Sequence, residues 1–122
     1  MRFEQMTIKL QEAFSKAQSL CAREGHQTVE CEHLFIELIR DADGITQAVL
    51  KKVGVDPNSF IAKLDELIKK YPRVSGDGKI YISNVLNELS LKAEEILRDM
   101  NDEFLSAEHF LLALSKDKKN KN

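Results

Sequence analysis

The chain contains two copies of one segment, and this duplication limits the folds that it can adopt. Residues 6–41 align with residues 82–117 without a gap, at an offset of 76 positions, and eight of the aligned pairs are identical. Each copy carries a Glu-His pair, Glu32-His33 or Glu108-His109, then a mostly apolar run and a basic-acidic pair. A repeat this long is one supersecondary unit used twice. The sequence therefore predicts two similar half-domains related by a pseudo-two-fold axis.

Apolar residues in both copies recur every three or four positions, which is typical of amphipathic helices. Four helices are predicted before a linker at residues 72–81 and two after it. Their predicted N-caps include Thr7, Asp56, Ser83 and Ser106, residue types whose side chains accept a hydrogen bond from a first-turn N–H. No run alternates long enough to demand a strand. We expect one all-α domain over residues 1–122, a bundle of short helices with repeat one at about 3–71, partial repeat two at 82–117 and a tail at 118–122.

Two local features extend this prediction. Gly25 is expected to end the first helix in the left-handed conformation, which glycine adopts without steric cost. The third helix, at about residues 45–53, is expected to bury Ile45, Ala48, Val49 and Val53.

Composition limits the functions that the chain can have. Eighteen basic and twenty acidic residues give a net charge of −2, so no broad basic surface for nucleic acid is expected. The sequence has no apolar run of the roughly 18–20 residues that span a bilayer, and no signal-peptide core. Cys21 and Cys31 lack a metal-ligand spacing and are interpreted as reduced, buried thiols. A cytoplasmic protein without nucleic-acid or membrane partners is the expectation.

The Glu-His pairs do not have the spacing of a metal or catalytic site. Adjacent helical residues point about 100° apart, Cys31 and His33 do not share a face, and no HExxH pattern occurs. GxSxG and GxxxxGK[ST] motifs are also missing, so we expect no metal, no cofactor and no enzymatic activity of the chain itself. His33 and His109 are interpreted as packing or hydrogen-bonding residues near helix starts.

The first-turn glutamates leave two interpretations open. Glu32 and Glu108 are stabilised there by the helix dipole, by about 0.3–1 kcal/mol, which is a purely structural role. Alternatively, their exposed carboxylates bind basic groups of a partner. Asp102 and Glu103 precede the sixth helix and are expected to join Glu108 in one acidic rim.

The combined pattern resembles a known family. Thr7, the two Glu-His helix starts, the Val55-Asp56-Pro57 turn and the linker beginning at Pro72 are similar to the N-terminal, double Clp-repeat domain of Clp/Hsp100 AAA-type ATPases, most of all the ClpB-type disaggregases. The resemblance extends from Met1 to Asp117. Because each family repeat has four helices, it implies a truncated second repeat, whose last two helices would lie at about 120–146.

The resemblance implies a non-catalytic module that binds unfolded or aggregated polypeptides, through an apolar groove with an acidic rim. The positions that match the family's binding residues are Thr7, Asp102 and Glu108. Further candidates for the same surface are Glu32, Glu103, Ile8, Leu91 and Leu105. The full-length protein is expected to be a hexamer, and the isolated domain a monomer.

Two other functions are considered. One is an adaptor-docking or phosphoarginine-binding N-domain of a ClpA- or ClpC-type protease regulator, in which Glu32 and Glu108 would bind a guanidinium group. The other is a small stand-alone helical enzyme, which no residue pattern in the chain supports.

Overall fold

Helices dominate residues 3–74 and 79–116, which are the residues that the computed structural model describes. The elements in chain order are a 3-10 turn (Phe3–Gln5), α1 (Ile8–Arg23), β1 (Thr28–Val29), α2 (Cys31–Arg40), α3 (Ile45–Lys52), α4 (Pro57–Ile68), β2 (Tyr81–Ile82), α5 (Asn84–Asp99) and α6 (Ala107–Lys116). The predicted all-α bundle is confirmed, with one short sheet that periodicity did not indicate. The centre of the predicted linker and the predicted tail lie outside the described residues.

Three of the four predicted caps follow the predicted chemistry, whereas the Ser106 hydroxyl lies 3.2 Å from Nδ1 of His109 and, within the described residues, accepts no hydrogen bond from a first-turn N–H of α6. The Thr7 hydroxyl accepts a hydrogen bond from the N–H of Leu10 at 3.2 Å, and Ser83 accepts one from the N–H of Leu86 at 3.0 Å. Asp56 accepts from the N–H of Ser59, and Pro57 occupies the first position of α4. Each cap satisfies an N–H group that has no partner within the helix. Thr7 and Ser83 are 76 positions apart, so the same cap begins both copies.

Short backbone bridges join the two copies reciprocally. Strands β1 and β2 run parallel with Val29 opposite Ile82, and an isolated parallel bridge pairs Met6 with Leu105. Adding 76 to Val29 gives Leu105, and adding 76 to Met6 gives Ile82. Each copy therefore uses the segment before its first helix to hold the segment before the other copy's second helix. The pseudo-two-fold duplication predicted from sequence is thus present in the backbone hydrogen bonds.

Both copies end their first helix in the same way. Gly25 has φ +73°, as predicted, and Asn101, at the equivalent position, has φ +57°. Glycine reaches this left-handed region freely, and asparagine is among the few other residues that tolerate it. The same turn is therefore built with two different residues.

The core lies where the helices of both copies meet. Helix α1 packs on α2, α5 packs on α6, and α4 covers the other side of α2. Phe14 of α1 and Phe110 of α6 are buried and meet edge to face, with ring centroids 5.9 Å apart. Aromatic pairs prefer this geometry because the positive ring edge faces the negative ring face. The contact makes one core from the two copies.

Helix α3 corrects one prediction. Ile45, Val49 and Val53 are 42%, 40% and 68% exposed, and Ala48 is exposed as well. The buried residue of α3 is Thr46. Helix α3 packs against α2, α4 and α6, and the side that it turns inward is displaced by one residue, about 100°, from the apolar stripe. In the described ranges no helix has both the length and the apolar content to cross a bilayer.

Candidate functional site

A cleft of about 660 Å³ opens where the start of α1, the end of α2, the start of α3 and the start of α6 converge. Of the sequence-predicted binding residues, Thr7 and Glu108 both line it. They come from different copies of the repeat. They meet because the bridge between Met6 and Leu105 brings the start of α1 beside the segment that leads into α6, with the Thr7 N–H donating to the Leu105 carbonyl at 2.8 Å.

Thr7 has two functions available to it at this place. Its hydroxyl oxygen accepts from the Leu10 N–H, which caps α1. The hydroxyl hydrogen can still donate, because a threonine hydroxyl is both a donor and an acceptor. Thr7 is half-buried at the cleft wall, so its side chain can contact a ligand without leaving the cap.

The two first-turn glutamates differ in their surroundings. Glu108 is exposed at the cleft, and no described residue bonds or pairs with its carboxylate. Glu32 is half-buried, and its Oε1 accepts a hydrogen bond from the Tyr71 hydroxyl at 2.9 Å. Burial, and then the bond to Glu32, raise the pKa of Tyr71. From the sequence, Glu108 is among the positions that match the family's binding residues, and Glu32 is only a further candidate. In the structure Glu108 is also the more exposed of the two, and its carboxylate makes no bond to a described residue, whereas one oxygen of Glu32 is bonded to Tyr71.

Asp102 does not line the cleft but supports the helix that does. Its Oδ2 accepts from Nε2 of the buried His109 at 2.9 Å, while Nδ1 of His109 accepts from the Ser106 N–H, also at 2.9 Å. The ring therefore ties the start of α6 to the turn before it, as expected for a hydrogen-bonding histidine. The Asp102 side chain is 40% exposed, so its second oxygen remains accessible beside the first turn of α6.

The matching histidine in the first copy has a neutral partner. Nδ1 of His33 accepts from the Glu30 N–H at 2.8 Å, and Nε2 lies 3.0 Å from Nδ1 of His26. Since Nδ1 of His33 is an acceptor, its hydrogen is on Nε2 and points to His26. Burial, and then the neighbouring His26, lower the pKa of His33 to about 4. Burial also lowers the pKa of His26.

The remaining candidates from the sequence are distributed over the surface and the core. Ile8 and Leu91 are 74% and 55% exposed, and Glu103 is exposed, but none of them lines the cleft. Leu105 corrects a prediction: it is 1% exposed because the backbone bridge to Met6 holds it inside the core. It is therefore a core residue and not part of an open groove.

Sequence reasoning missed the wall of the cleft that α2 and α3 provide. Glu37 is only 8% exposed, although it is charged, and its Oε2 accepts from Nη1 of Arg40 at 3.0 Å. Asp41 is paired with Lys9 of α1 at 3.3 Å. The available signal was Glu37 itself, a carboxylate on the apolar side of α2 where the second copy has Ala113. Among the described residues, no group of three or more His, Cys, Asp or Glu side chains has the geometry to hold a metal ion.

Comparison with known proteins identifies the class. Residues 5–122 match the family described as "Clp repeat (R) N-terminal domain". The chain belongs to this family. It is 37% identical, over 122 residues, to the chaperone protein ClpB of Bacillus cereus, an alignment that covers 97% of this chain and 14% of that protein. The chain thus spans about one seventh of the length of this curated relative, and the predicted resemblance to ClpB-type proteins is confirmed.

Solved structures agree on the fold. The N-terminal domain of the ClpV1 ATPase from Escherichia coli has a TM-score of 0.88 at 20% identity, covering 98% of this chain and 72% of that one. A complex of a ClpV N-domain with a VipB peptide has a TM-score of 0.81 at 22% identity, covering 93% of this chain and 69% of that one. At these identities the likeness establishes the double Clp-repeat fold.

Proposed function

We propose that this domain captures unfolded or aggregated polypeptides for a ClpB-type disaggregase in the cytoplasm, and that the cleft between α1, α2, α3 and α6 is where they bind. The observation that carries the proposal is that Thr7 and Glu108 line the same open cleft, and that the Glu108 carboxylate bonds to no residue in the ranges 3–74 and 79–116. The ATPase modules, and a hexameric assembly, belong to the full-length protein in this proposal, and the domain itself is a monomeric, non-catalytic module.

The chemistry of the cleft suits an extended polypeptide. Its walls combine apolar surface, chiefly from Ile45, which is 42% exposed, with the carboxylate of Glu108. Apolar surface accepts hydrophobic segments of many sequences, and an accessible carboxylate favours segments that also carry a basic residue. A related fold, the ClpV N-domain, has been solved with a peptide bound, which supports peptide binding as an activity of this architecture.

Binding of a permanently unfolded, fluorescently labelled model protein tests the proposal. Fluorescence anisotropy should give a weak affinity that falls with added salt, because an exposed charge contributes through screened attraction. Glu108→Gln should weaken binding about threefold to tenfold, which corresponds to roughly 0.7–1.4 kcal/mol. Thr7→Ala should also weaken it, whereas Thr7→Ser, which keeps the hydroxyl and the cap, should not.

Glu32→Gln is the matched control, because Glu32 has the same position in the other copy but is already bonded to Tyr71. Circular dichroism and the unfolding midpoint of each variant separate lost binding from lost fold. Unchanged binding by a folded Thr7→Ala, Glu108→Gln double variant would rule out this cleft. Asp102→Asn, measured in the same assay, tests whether the carboxylate beside the cleft contributes.

One observation favours a phosphoarginine ligand as the second candidate. The first turns of α1 and α6 both border the cleft, together with Lys9 and Lys16, and helix N-termini attract anions. A phosphate there and a guanidinium at Glu108 would each meet complementary charge. Titration with phosphoarginine and with arginine, followed by NMR, decides the matter: shifts at Ala107 and Glu108 with phosphoarginine alone support this candidate, and no shifts remove it.

A further inference from the structure

The floor of the cleft contains a polar group without a partner. Thr46, in the first turn of α3, is 3% exposed, and its Oγ1 makes no hydrogen bond within the part of the chain that the structure describes. Leaving a buried hydroxyl unsatisfied costs about 1–3 kcal/mol. The next residue, Gln47, by contrast satisfies its side-chain amide by donating to the Ile39 carbonyl at 2.7 Å. Thr46 therefore carries a hydrogen-bonding group that the folded domain does not use.

A half-satisfied carboxylate lines the same cleft. Glu37 bonds to Arg40 through Oε2, while Oε1 accepts no hydrogen bond from the described residues. Its side chain is 6% exposed and that of Arg40 is 48% exposed. Oε1 of Glu37 keeps contact with solvent at the cleft, unlike Thr46 Oγ1, which is fully buried. A buried carboxylate is costly unless its oxygens are bonded. Glu37 thus offers a free acceptor at a place where a cation would be strongly favoured.

The charges around these two groups favour a cation over an anion. The end of the cleft formed by the last turn of α2 and the segment leading into α3 is lined by three acidic residues, Glu37, Asp41 and Asp43. Two basic residues, Arg40 and Lys9, also line it, so three negative charges face two positive ones. Asp41 and Glu37 each have one cationic partner, and the Asp43 carboxylate pairs with no described residue. The last turn of α2 also lies here, and the carbonyl end of a helix favours positive charge. The start of α3 opposes this, but an anion there would lie beside the Glu37 carboxylate.

We propose that this end of the cleft is a subsite for a lysine or arginine side chain of the bound polypeptide, with Glu37 Oε1 and Thr46 Oγ1 accepting hydrogen bonds from its ammonium or guanidinium group. This inference rests on the proposed function and adds a sequence preference to it. The preference comes from residues of the first repeat alone, since the second copy has Ala113 where Glu37 lies.

A peptide series tests the subsite. Otherwise identical peptides carry lysine, arginine, norleucine, citrulline or glutamate at one central position, and their affinities for the domain are measured by anisotropy. The lysine and arginine peptides should bind about tenfold more tightly than the neutral ones. Glu37→Gln and Thr46→Val should each reduce this preference to about threefold or less, and Thr46→Ser, which keeps the hydroxyl, should preserve it.

The stability of the free domain provides a second, independent readout. Thr46→Val removes an unpartnered hydroxyl at constant shape, so it should leave the unfolding midpoint unchanged or raise it while it weakens binding of the basic peptides. A lower midpoint, a preference that persists in both variants, or tightest binding of the glutamate peptide would overturn the subsite. Equal binding of all five peptides to the unmodified domain overturns the subsite alone, whereas no binding of any peptide or of the unfolded protein overturns the proposed function as well.

Discussion

The two copies of the repeat share a backbone but differ in what their equivalent side chains contact. His33 and His109 both accept a hydrogen bond from the N–H three residues earlier, yet the other ring nitrogen faces His26 in one copy and Asp102 in the other. Glu32 is bonded to Tyr71, and Glu108 is open at the cleft. At this pair of equivalent positions, the first copy bonds its glutamate within its own structure, and the second copy leaves its glutamate exposed at the cleft. The two copies therefore share the same backbone arrangement but differ in the hydrogen-bond partners of their equivalent side chains.

The largest predicted change in the free energy of unfolding comes from core substitutions, which test whether the two copies fold as one unit. Phe110 and its counterpart Leu34 are both fully buried. Phe110→Ala should lower the free energy of unfolding by about 3–5 kcal/mol and Leu34→Ala by about 2–5 kcal/mol. Urea unfolding followed by circular dichroism should keep a single transition in both variants, because the remaining buried side chains of the two copies form one continuous core.

Phe104→Ala is the control for the aromatic substitution, since Phe104 is 50% exposed and should cost far less. Two separate transitions in either core variant would mean that the copies fold independently, against the shared core described above.

The second prediction concerns pH and uses the histidine difference. The folded pKa of His33 is about 4, and the unfolded value is about 6.5. Between these values the unfolded chain binds more protons, so the free energy of unfolding falls as the pH is lowered through this window. From pH 7 to pH 5 the loss due to His33 should be about 2 kcal/mol. His26, whose pKa is also lowered, acts in the same direction.

Urea titrations at the two pH values measure this loss, and His33→Gln supplies the reference. Glutamine is neutral and is favoured at this position of a helix start. The variant should lose about 2 kcal/mol less between pH 7 and pH 5 than the unmodified domain. An equal loss in both would show that His33 is not the titrating group.

The smallest predicted effect addresses the two glutamates. Tyr71→Phe removes the hydroxyl that bonds Glu32 and should lower the free energy of unfolding by about 1–2 kcal/mol, because the acceptor is charged. Tyr81→Phe is the matched control, since Tyr81 is 55% exposed and no described residue bonds to its hydroxyl. In a Glu32→Gln background the Tyr71→Phe cost should shrink, and the same cost in both backgrounds would exclude the proposed pairing.

Much of the fold could be predicted from sequence because its signals are local. Apolar periodicity and capping residues gave the helices, and the 76-residue offset gave the pseudo-symmetry. The two-residue strands were missed because bridges this short have no periodicity. The exposed stripe of α3 was misassigned because Ile45, Val49 and Val53 are apolar residues at helical spacing, and only the position of α2 and α6 decides which side of α3 is covered.

The candidate site was only partly predictable. Thr7 and Glu108 came from the resemblance to the family, and nothing local to either residue indicates that they meet. The Tyr71 to Glu32 bond spans 39 positions, which is too far for a local sequence signal. His26 and Asp102 occupy equivalent positions in the two copies, and their contacts with His33 and His109 can be anticipated only when the copies are aligned at the 76-residue offset. Thr46 could not be recognised at all, because a missing partner is a property of three-dimensional packing.

The reciprocal bridges between Met6 and Leu105 and between Val29 and Ile82 have a consequence for assembly and ancestry. When each of two like units uses one patch to hold the same patch on the other, the contact is isologous, which is the geometry of a two-fold symmetric dimer. A single repeat would therefore leave the backbone groups of two segments without their bridging hydrogen bonds, and a second molecule of the same repeat could supply them. The domain has the form of a homodimer whose subunits were joined into one chain and were then free to diverge.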